Sequence, residues 1–333
     1  MQEKIKLTKT HQLELFEVID LADRQRYSNS IELYDAIPKY YIGKAERING
    51  TYLEPIERPF KFRGKEYTVT INPAPLKDRK TGMHKYFYPG IREELVEDAL
   101  RKISCEGHGR FSSGQMGVFF TLYELQKELK NRGHTYDINQ IKDAILICAN
   151  ATLQLKTGDE KELLNAPIFQ ALGLHTDEDW EGHGKKTKGY IRFNPLVTQS
   201  INEKTYRLLN YDKCMKYKRF LSRWFHKRLS HHFTQASFSE AYSINLSTII
   251  RDSGMKKYKQ LRDNLRKVTE SIEEMKDQEI ICSFEKEKII GRKKNSFEDV
   301  KFHLHPHIHF IQEVKKANNR AGEIKTADNP SLK

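Results

Sequence analysis

A mixed α+β chain, with two tandem winged-helix domains behind an N-terminal elaboration of strands and turns, is the architecture this sequence predicts. Three observations carry it. Residues 256–277 space apolar side chains three and four apart beside a basic side, and two strand-like runs follow at roughly 279–290 and 298–310, joined by Gly-Arg-Lys-Lys-Asn-Ser. Residues 112–157 repeat that order more weakly as helix, turn, helix and strand. Between 23 and 90, Pro38, Pro55, Pro59, Pro73, Pro75 and Pro89 divide aromatic, strand-like pieces such as KEYTVTI at 65–71.

In chain order, residues 11–22 form a short amphipathic segment. Proline fixes φ and removes a ladder donor, so 23–90 is expected to hold hairpins and turns with no long central strand or helix. A helix follows at 91–102 around Leu95, Val96, Ala99 and Leu100. Ser112 or Ser113 is expected to cap a second helix running to about Arg132 on Met116, Phe119, Leu122, Leu125 and Leu129, with Gly133 as its stop. Asp137 caps a third, whose buried stripe is Ile138, Ile141, Ala144, Ile145 and Cys148. Thr152 opens a strand that ends at Thr157-Gly158-Asp159; a loose insertion occupies 159–189, and GYIRFNPLV at 189–197 is the returning strand.

In the second half, residues 212–232 are expected to form one long helix that packs through Phe220, Leu221, Trp224, Phe225 and Leu229. A short helix at 243–252 and a turn at Gly254 lead into the 256–277 helix, with Leu261, Leu265, Val268, Ile272 and Met275 facing the core. The expected divisions are 1–90 as the N-terminal extension, 91–201 as the first winged-helix domain, 202–315 as the second, and 316–333 as a flexible tail.

Charge points to the partner. The 333 residues carry 58 Lys and Arg against 45 Asp and Glu, a formal net charge of +13, which favours association with a polyanion: nucleic acid first, an anionic membrane second. No apolar run approaches the roughly 20 residues of a membrane span, and the charged opening residues lack a signal-peptide core. Cys105, Cys148, Cys214 and Cys282 are too scattered for a zinc or disulfide framework, so reduced thiols in a cytoplasmic protein are expected.

On 256–277 the positive charge is concentrated early. Lys259, Arg262 and Arg266 share one side, Lys256 and Lys257 stand at the entry, and Glu270, Glu273 and Glu274 come later. The N-terminal half of such a helix enters the major groove. Arg262 and Arg266 are therefore assigned to base edges, and Lys256, Lys257 and Lys259 to phosphates. Arg292, Lys293 and Lys294 at the hairpin tip are assigned to the adjacent backbone or minor groove. Lys216, Arg219, Arg223 and Lys227 on the 212–232 helix, where seven Lys and Arg face one acid, are expected to brace phosphates. In the first unit Asn139, Gln140 and Lys142 are the candidates, with Asp143 beside them. An ordinary solvated charged face is the competing explanation in each case.

The enzyme alternative rests on KFHLHPHIHFI at 301–311, with His303, His305, His307 and His309 at alternate positions. His-x-His can chelate a divalent metal, and His307-Ile308-His309 fits the pattern of rolling-circle nucleases, which also need an attacking tyrosine. Those nucleases usually place that tyrosine downstream, whereas the last one here is Tyr258, and Pro306 interrupts the run. Walker A, HExxH and GxSxG patterns are absent. No catalytic residue, metal or cofactor is therefore expected.

The plan resembles the plasmid replication initiator (Rep) family with tandem winged-helix domains. The resembling pieces are RYSNSIELYDAIPKY at 26–40, the 112–157 unit, YIRFNPLVTQSI at 190–201 and the 243–310 unit. The resemblance implies that the C-terminal unit reads repeated origin sequences through the 256–277 helix, while the first supports backbone contacts or a homodimer. It further implies double-stranded origin DNA, the host initiator and the replicative helicase as partners. A metal-dependent DNA nickase and a transcriptional repressor without an initiation role are the alternatives. The proline-rich 23–90 region and the 159–189 insertion depart from the simpler family pattern.

Overall fold

A computed structural model describes residues 26–43, 52–78, 80–112, 115–174, 188–290 and 297–328. The expected 11–22 segment lies outside these residues. The N-terminal elaboration contains β1 (Tyr27–Ser30), α1 (Glu32–Ala36), β2 (Ile56–Phe62), β3 (Lys65–Asn72), β4 (Ala74–Lys77) and β5 (His84–Phe87). β2 and β3 form a hairpin that turns at Arg63 and Gly64, both with positive φ. Contrary to expectation, β3 is a central strand in the sheet ordered β2-β3-β8-β9. Its eight residues contain no proline, whereas Pro59 lies on the edge strand β2, where a missing ladder donor is tolerated.

The first unit comprises α2 (Ile91–Ile103), a π-turn at Ser104–His108, β6 (Gly109–Ser112), β7 (Gln115–Thr121), α3 (Leu122–Asn131), α4 (Ile138–Asn150), β8 (Thr152–Thr157) and β9 (Glu162–Pro167). The expected helix from Ser112 starts only at Leu122. Val118-Phe119-Phe120-Thr121 suits a strand, and Thr121 then opens α3 through a capping box with Glu124. Phe119, expected in the core, points outward, and its ring lies against that of Tyr190 with centroids 4.7 Å apart and planes tilted by 38°. The 159–189 insertion is not uniformly loose: it contributes β9 and β10 (Phe169–Leu174). The returning strand is β11 (Lys188–Phe193), which pairs with β7 in the sheet ordered β10-β11-β7-β6.

After α5 (Pro195–Asn202) and β12 (Arg207–Asn210), the expected 212–232 helix is split into α6 (Tyr211–Lys216) and α7 (Phe220–His232). The second unit continues with β13 (Tyr242–Asn245), α8 (Leu246–Ser253), α9 (Leu261–Asp277), β14 (Ile281–Ile290) and β15 (Phe297–Pro306). Its sheet order, β13-β15-β14, with α7, α8 and α9 supplying the helices, is that of a winged helix. The chain does not remain extended to residue 310: α10 (Ile308–Asp328) begins after Pro306. Phe310, Ile311, Val314 and Ala317 are buried, so the expected flexible tail from 316 is helical through Asp328.

One apolar core runs through both units, from Leu95 and Ile145 to Phe225, Ile272 and Phe302. The N-terminal elaboration also supports the second unit. The Lys61 amide donates to Asp252 Oδ1 at 3.1 Å, and Arg58 donates to the carbonyls of Pro38 and Tyr40. Gly254 follows α8 at φ 70°, and a Cβ there would lie 2.7 Å from the Arg58 guanidinium, so both backbone and space favour glycine.

Candidate nucleic-acid interface

The helix–turn–helix consists of α8 and α9. Helix α9 starts five residues later than the 256 boundary expected from the sequence, because Lys256–Gln260 form the turn. Buried Asn264 holds that turn: its Oδ1 accepts from the Tyr258 amide at 2.9 Å, and its Nδ2 donates to the Tyr258 and Gln260 carbonyls. Val268, Ile272 and Met275 pack into the core as expected, while Leu265 is half-buried and Leu261 is exposed because it lies beyond the core's edge. Asn264 was missed by the apolar pattern, although a lone amide at a core spacing was the available signal.

Lys256, Lys257, Lys259, Arg262 and Arg266 are all exposed. The Arg266 side chain is 64% accessible and makes only loose pairs with Asp263 and Glu270, at 3.6 and 4.0 Å. Exposed pairs of this kind contribute little and yield readily to a phosphate or base. A groove beside this helix is lined by Lys216, Lys218, Arg219, Arg262, Arg266 and Lys286, with Glu270, Glu273, Glu274 and Asp277. One of those acids has a structural task. Glu274 accepts from the amides of Lys218 and Arg219 at 2.7 and 3.2 Å and from Ser222 Oγ at 2.5 Å, so it caps α7 from α9.

The basic brace expected along 212–232 is half corrected. Lys216 and Arg219 are exposed on the break between α6 and α7, joined by Lys218, which was not singled out. Arg223 and Lys227 are 0% and 7% exposed and cannot reach a phosphate from there. Arg223 donates to Glu94 Oε2 at 3.0 and 2.9 Å and to the Tyr217 carbonyl; Lys227 meets Asp98 at 2.7 Å. Burial works against both cations, yet Glu94 holds Arg223 and Asp98 holds Lys227 above their ordinary pKa values. Burial likewise opposes the Glu94 carboxylate, but Arg223 and Lys227 keep its pKa low. The acids come from α2, so these charges join the two units.

Arg292, Lys293 and Lys294 lie outside the described residues. On the adjoining strand, Lys286 and Lys288 are exposed and alternate onto the face shared by Phe284, Phe302 and Leu304. Lys286 thus lines the groove from the wing side.

In the first unit, α4 offers less. Asn139 and Gln140 are exposed, but the Gln140 side chain accepts from the Asp137 amide in a capping box. Lys142 is half-buried. The β4–β5 hairpin packs alongside, with Ala74 against Ile147 and Ala151. A second groove there holds Lys77, Lys80 and Lys85 with Asp78 and Asp143.

The histidines divide between two elements. His303 and His305 are on β15, near Glu287 and Glu285, whereas His307 and His309 stand at the start of α10 beside Glu279. Among the described residues, no helix is long and apolar enough to cross a membrane.

No protein-family model matches the chain, and no curated protein matches it at a significant level. The chain is similar to several solved structures. RctB domains 2–3 share 11% identity at a TM-score of 0.48, covering 85% of this chain and 99% of that one. Selenomethionine derivatives of RctB domains 2 and 3 share 10% at 0.47, covering 87% and 99%. The Pi initiator protein in complex with iteron DNA shares 12% at 0.47, covering 66% and 92%.

Proposed function

We propose that this chain is a sequence-specific, double-stranded DNA-binding initiator of plasmid replication, which reads repeated origin sequences and helps recruit the host initiator and replicative helicase. One observation supports the DNA reading above all. The early half of α9 and its preceding turn expose Lys256, Lys257, Lys259, Arg262 and Arg266 without burying any of them. Lys216, Lys218, Arg219 and Lys286 add further cations to the groove that Arg262 and Arg266 line. That distribution suits a helix in the major groove with phosphate contacts beside it. The chemistry is binding, with no bond made or broken. The initiation step follows the tandem order of elements and is the part that replication itself must test.

Footprinting of the purified chain on the DNA flanking its gene tests the proposal. Protection of short direct repeats beside an AT-rich tract is expected, together with replication of a plasmid carrying that tract when the chain is supplied. Protection of a single inverted repeat at a promoter, without replication, would favour the repressor instead. In Arg262→Ala/Arg266→Ala, preference for the repeats over random DNA should collapse; unchanged preference rejects α9 as the reading helix.

A further inference from the structure

We propose that Glu279, His307 and His309 form a binding site for a zinc-class divalent cation, which fastens the C-terminal end of α9 to the start of α10. Their candidate ligand atoms all lie within 4.8 Å of one another. His309 Nδ1 is 2.6 Å from Glu279 Oε2, and the two imidazole rings are 4.7 Å apart and inclined at 67°. Two imidazole nitrogens and one carboxylate oxygen supply three corners of a tetrahedron, leaving the fourth to water. Ligands about 2.1 Å from a tetrahedral ion stand about 3.4 Å apart, so the cation takes the place of the proton between His309 and Glu279 with under an ångström of opening.

The backbone holds these ligands in register. The His307 amide donates to the Ile280 carbonyl at 3.0 Å, directly after Glu279, and the His307 carbonyl accepts from Ile311. His307 Nδ1 accepts from the His309 amide at 3.2 Å. The cation either takes that lone pair or reaches Nε2 after a tautomer change, giving up one exposed cap hydrogen bond. Lys213, the nearby opposing charge, is engaged by Glu313 at 3.3 Å.

Glu279 also occupies a position where local structure favours glycine. Helix α9 ends with the Ile280 amide on the Met275 carbonyl and the Glu279 amide on the Lys276 carbonyl, a Schellman closure with Glu279 at φ 57°. Glycine adopts that conformation most easily. A carboxylate here, aimed at two histidines, gains nothing for the helix end, and ligation gives it a task.

The test uses the full chain, freed of metal by chelation and titrated with Zn²⁺ by calorimetry and with Co²⁺ by absorption spectroscopy. One ion per chain, with the intense visible bands of four-coordinate Co²⁺, is expected. Glu279→Gly should bind at least tenfold more weakly while the metal-free Tm holds or rises, which separates lost ligation from lost fold. His307→Ala/His309→Ala should abolish binding, and His303→Ala/His305→Ala should leave it intact. Equal binding by wild type and His307→Ala/His309→Ala, loss of the site in His303→Ala/His305→Ala, or no uptake by wild type overturns the proposal. None of these readouts involves DNA, so the site and the DNA-reading function stand or fall separately.

Discussion

Helices α7 and α9 send the same signal in sequence and meet opposite fates in the fold. Each has apolar residues at helical spacing and a basic side. On α9 the cations Arg262 and Arg266 remain in solvent, while on α7 Arg223 and Lys227 are enclosed by Glu94 and Asp98 of α2. The difference lies not in the helices but in what covers them. Helix α7 is packed on both sides, by α9 through the Glu274 cap and by α2 through its acids, whereas among the described residues nothing covers the outer face of early α9. A basic helix face therefore identifies a polyanion partner only when the protein's own acids are elsewhere.

The largest effect should come from breaking the buried side. Arg223→Ala leaves the buried Glu94 carboxylate only Lys227, 3.4 Å away and shared with Asp98, and should cost about 3–5 kcal/mol of stability in urea denaturation. Changing both partners, as Arg223→Met with Glu94→Leu, should recover much of that loss, because two buried charges are removed together. DNA affinity per folded molecule should stay the same. If Arg223→Ala instead weakens DNA binding without loss of stability, the contrast between the helices fails. The exposed side has the reverse signature: Arg262→Ala and Arg266→Ala should each remove about 1–3 kcal/mol of base discrimination, with urea midpoints nearly unchanged.

Much of this fold was legible in the sequence because apolar spacing is local. The stripe Val268, Ile272 and Met275, the Asp137 cap and the packing residues Phe225 and Leu229 all took their expected roles. What escaped was nonlocal. Nothing within 212–232 reveals that Glu94 and Asp98, more than a hundred residues earlier, would claim Arg223 and Lys227. The strand Gln115–Thr121 was hidden for a related reason. Its Met116 and Phe119 fit a helical spacing with Leu122, and the pairing with Lys188–Phe193 that makes it a strand crosses a long insertion. Of the site, the exposed cations at Lys256–Arg266 were readable, but Asn264 and Lys218 matter through tertiary contacts.

A mid-sized effect separates the same two helices by pH. On α7, His226 is 1% exposed between the Tyr217 and Phe310 rings, and burial, helped by Lys213 and Lys227, pushes its pKa down to about 3. Its folded-state value is below the unfolded value of about 6.5. The associated stability is therefore complete above that value and drains as pH falls toward the folded value, because only the unfolded chain takes the proton. From pH 6.5 to 5 this group should account for about 2 kcal/mol of lost stability. His226→Leu should make that part of the profile shallower, the slope that remains coming from His231, which burial also pushes down to about 3; an unchanged profile would show that His226 is not held neutral. On the α9 side, replacing Lys256, Lys257 and Lys259 by Ala should leave the specificity ratio intact. The salt slope should fall by about one for each phosphate that is no longer neutralised.

The smallest effect concerns α4, the counterpart of α9 in the first unit. Both helices follow a turn and precede a hairpin, but α4 is flanked by β4–β5, its Gln140 is committed to the Asp137 cap, and Lys142 is half-buried. Asp143 adds a negative charge to the groove formed with the hairpin. A helix so enclosed presents too little side chain to read several base pairs. Asn139→Ala with Lys142→Ala should therefore change base discrimination by less than about 0.5 kcal/mol, as surface substitutions away from key contacts do. Competition footprinting against single-base variants of the protected repeat measures this directly. A loss comparable with that of Arg262→Ala would mean that both heads read sequence.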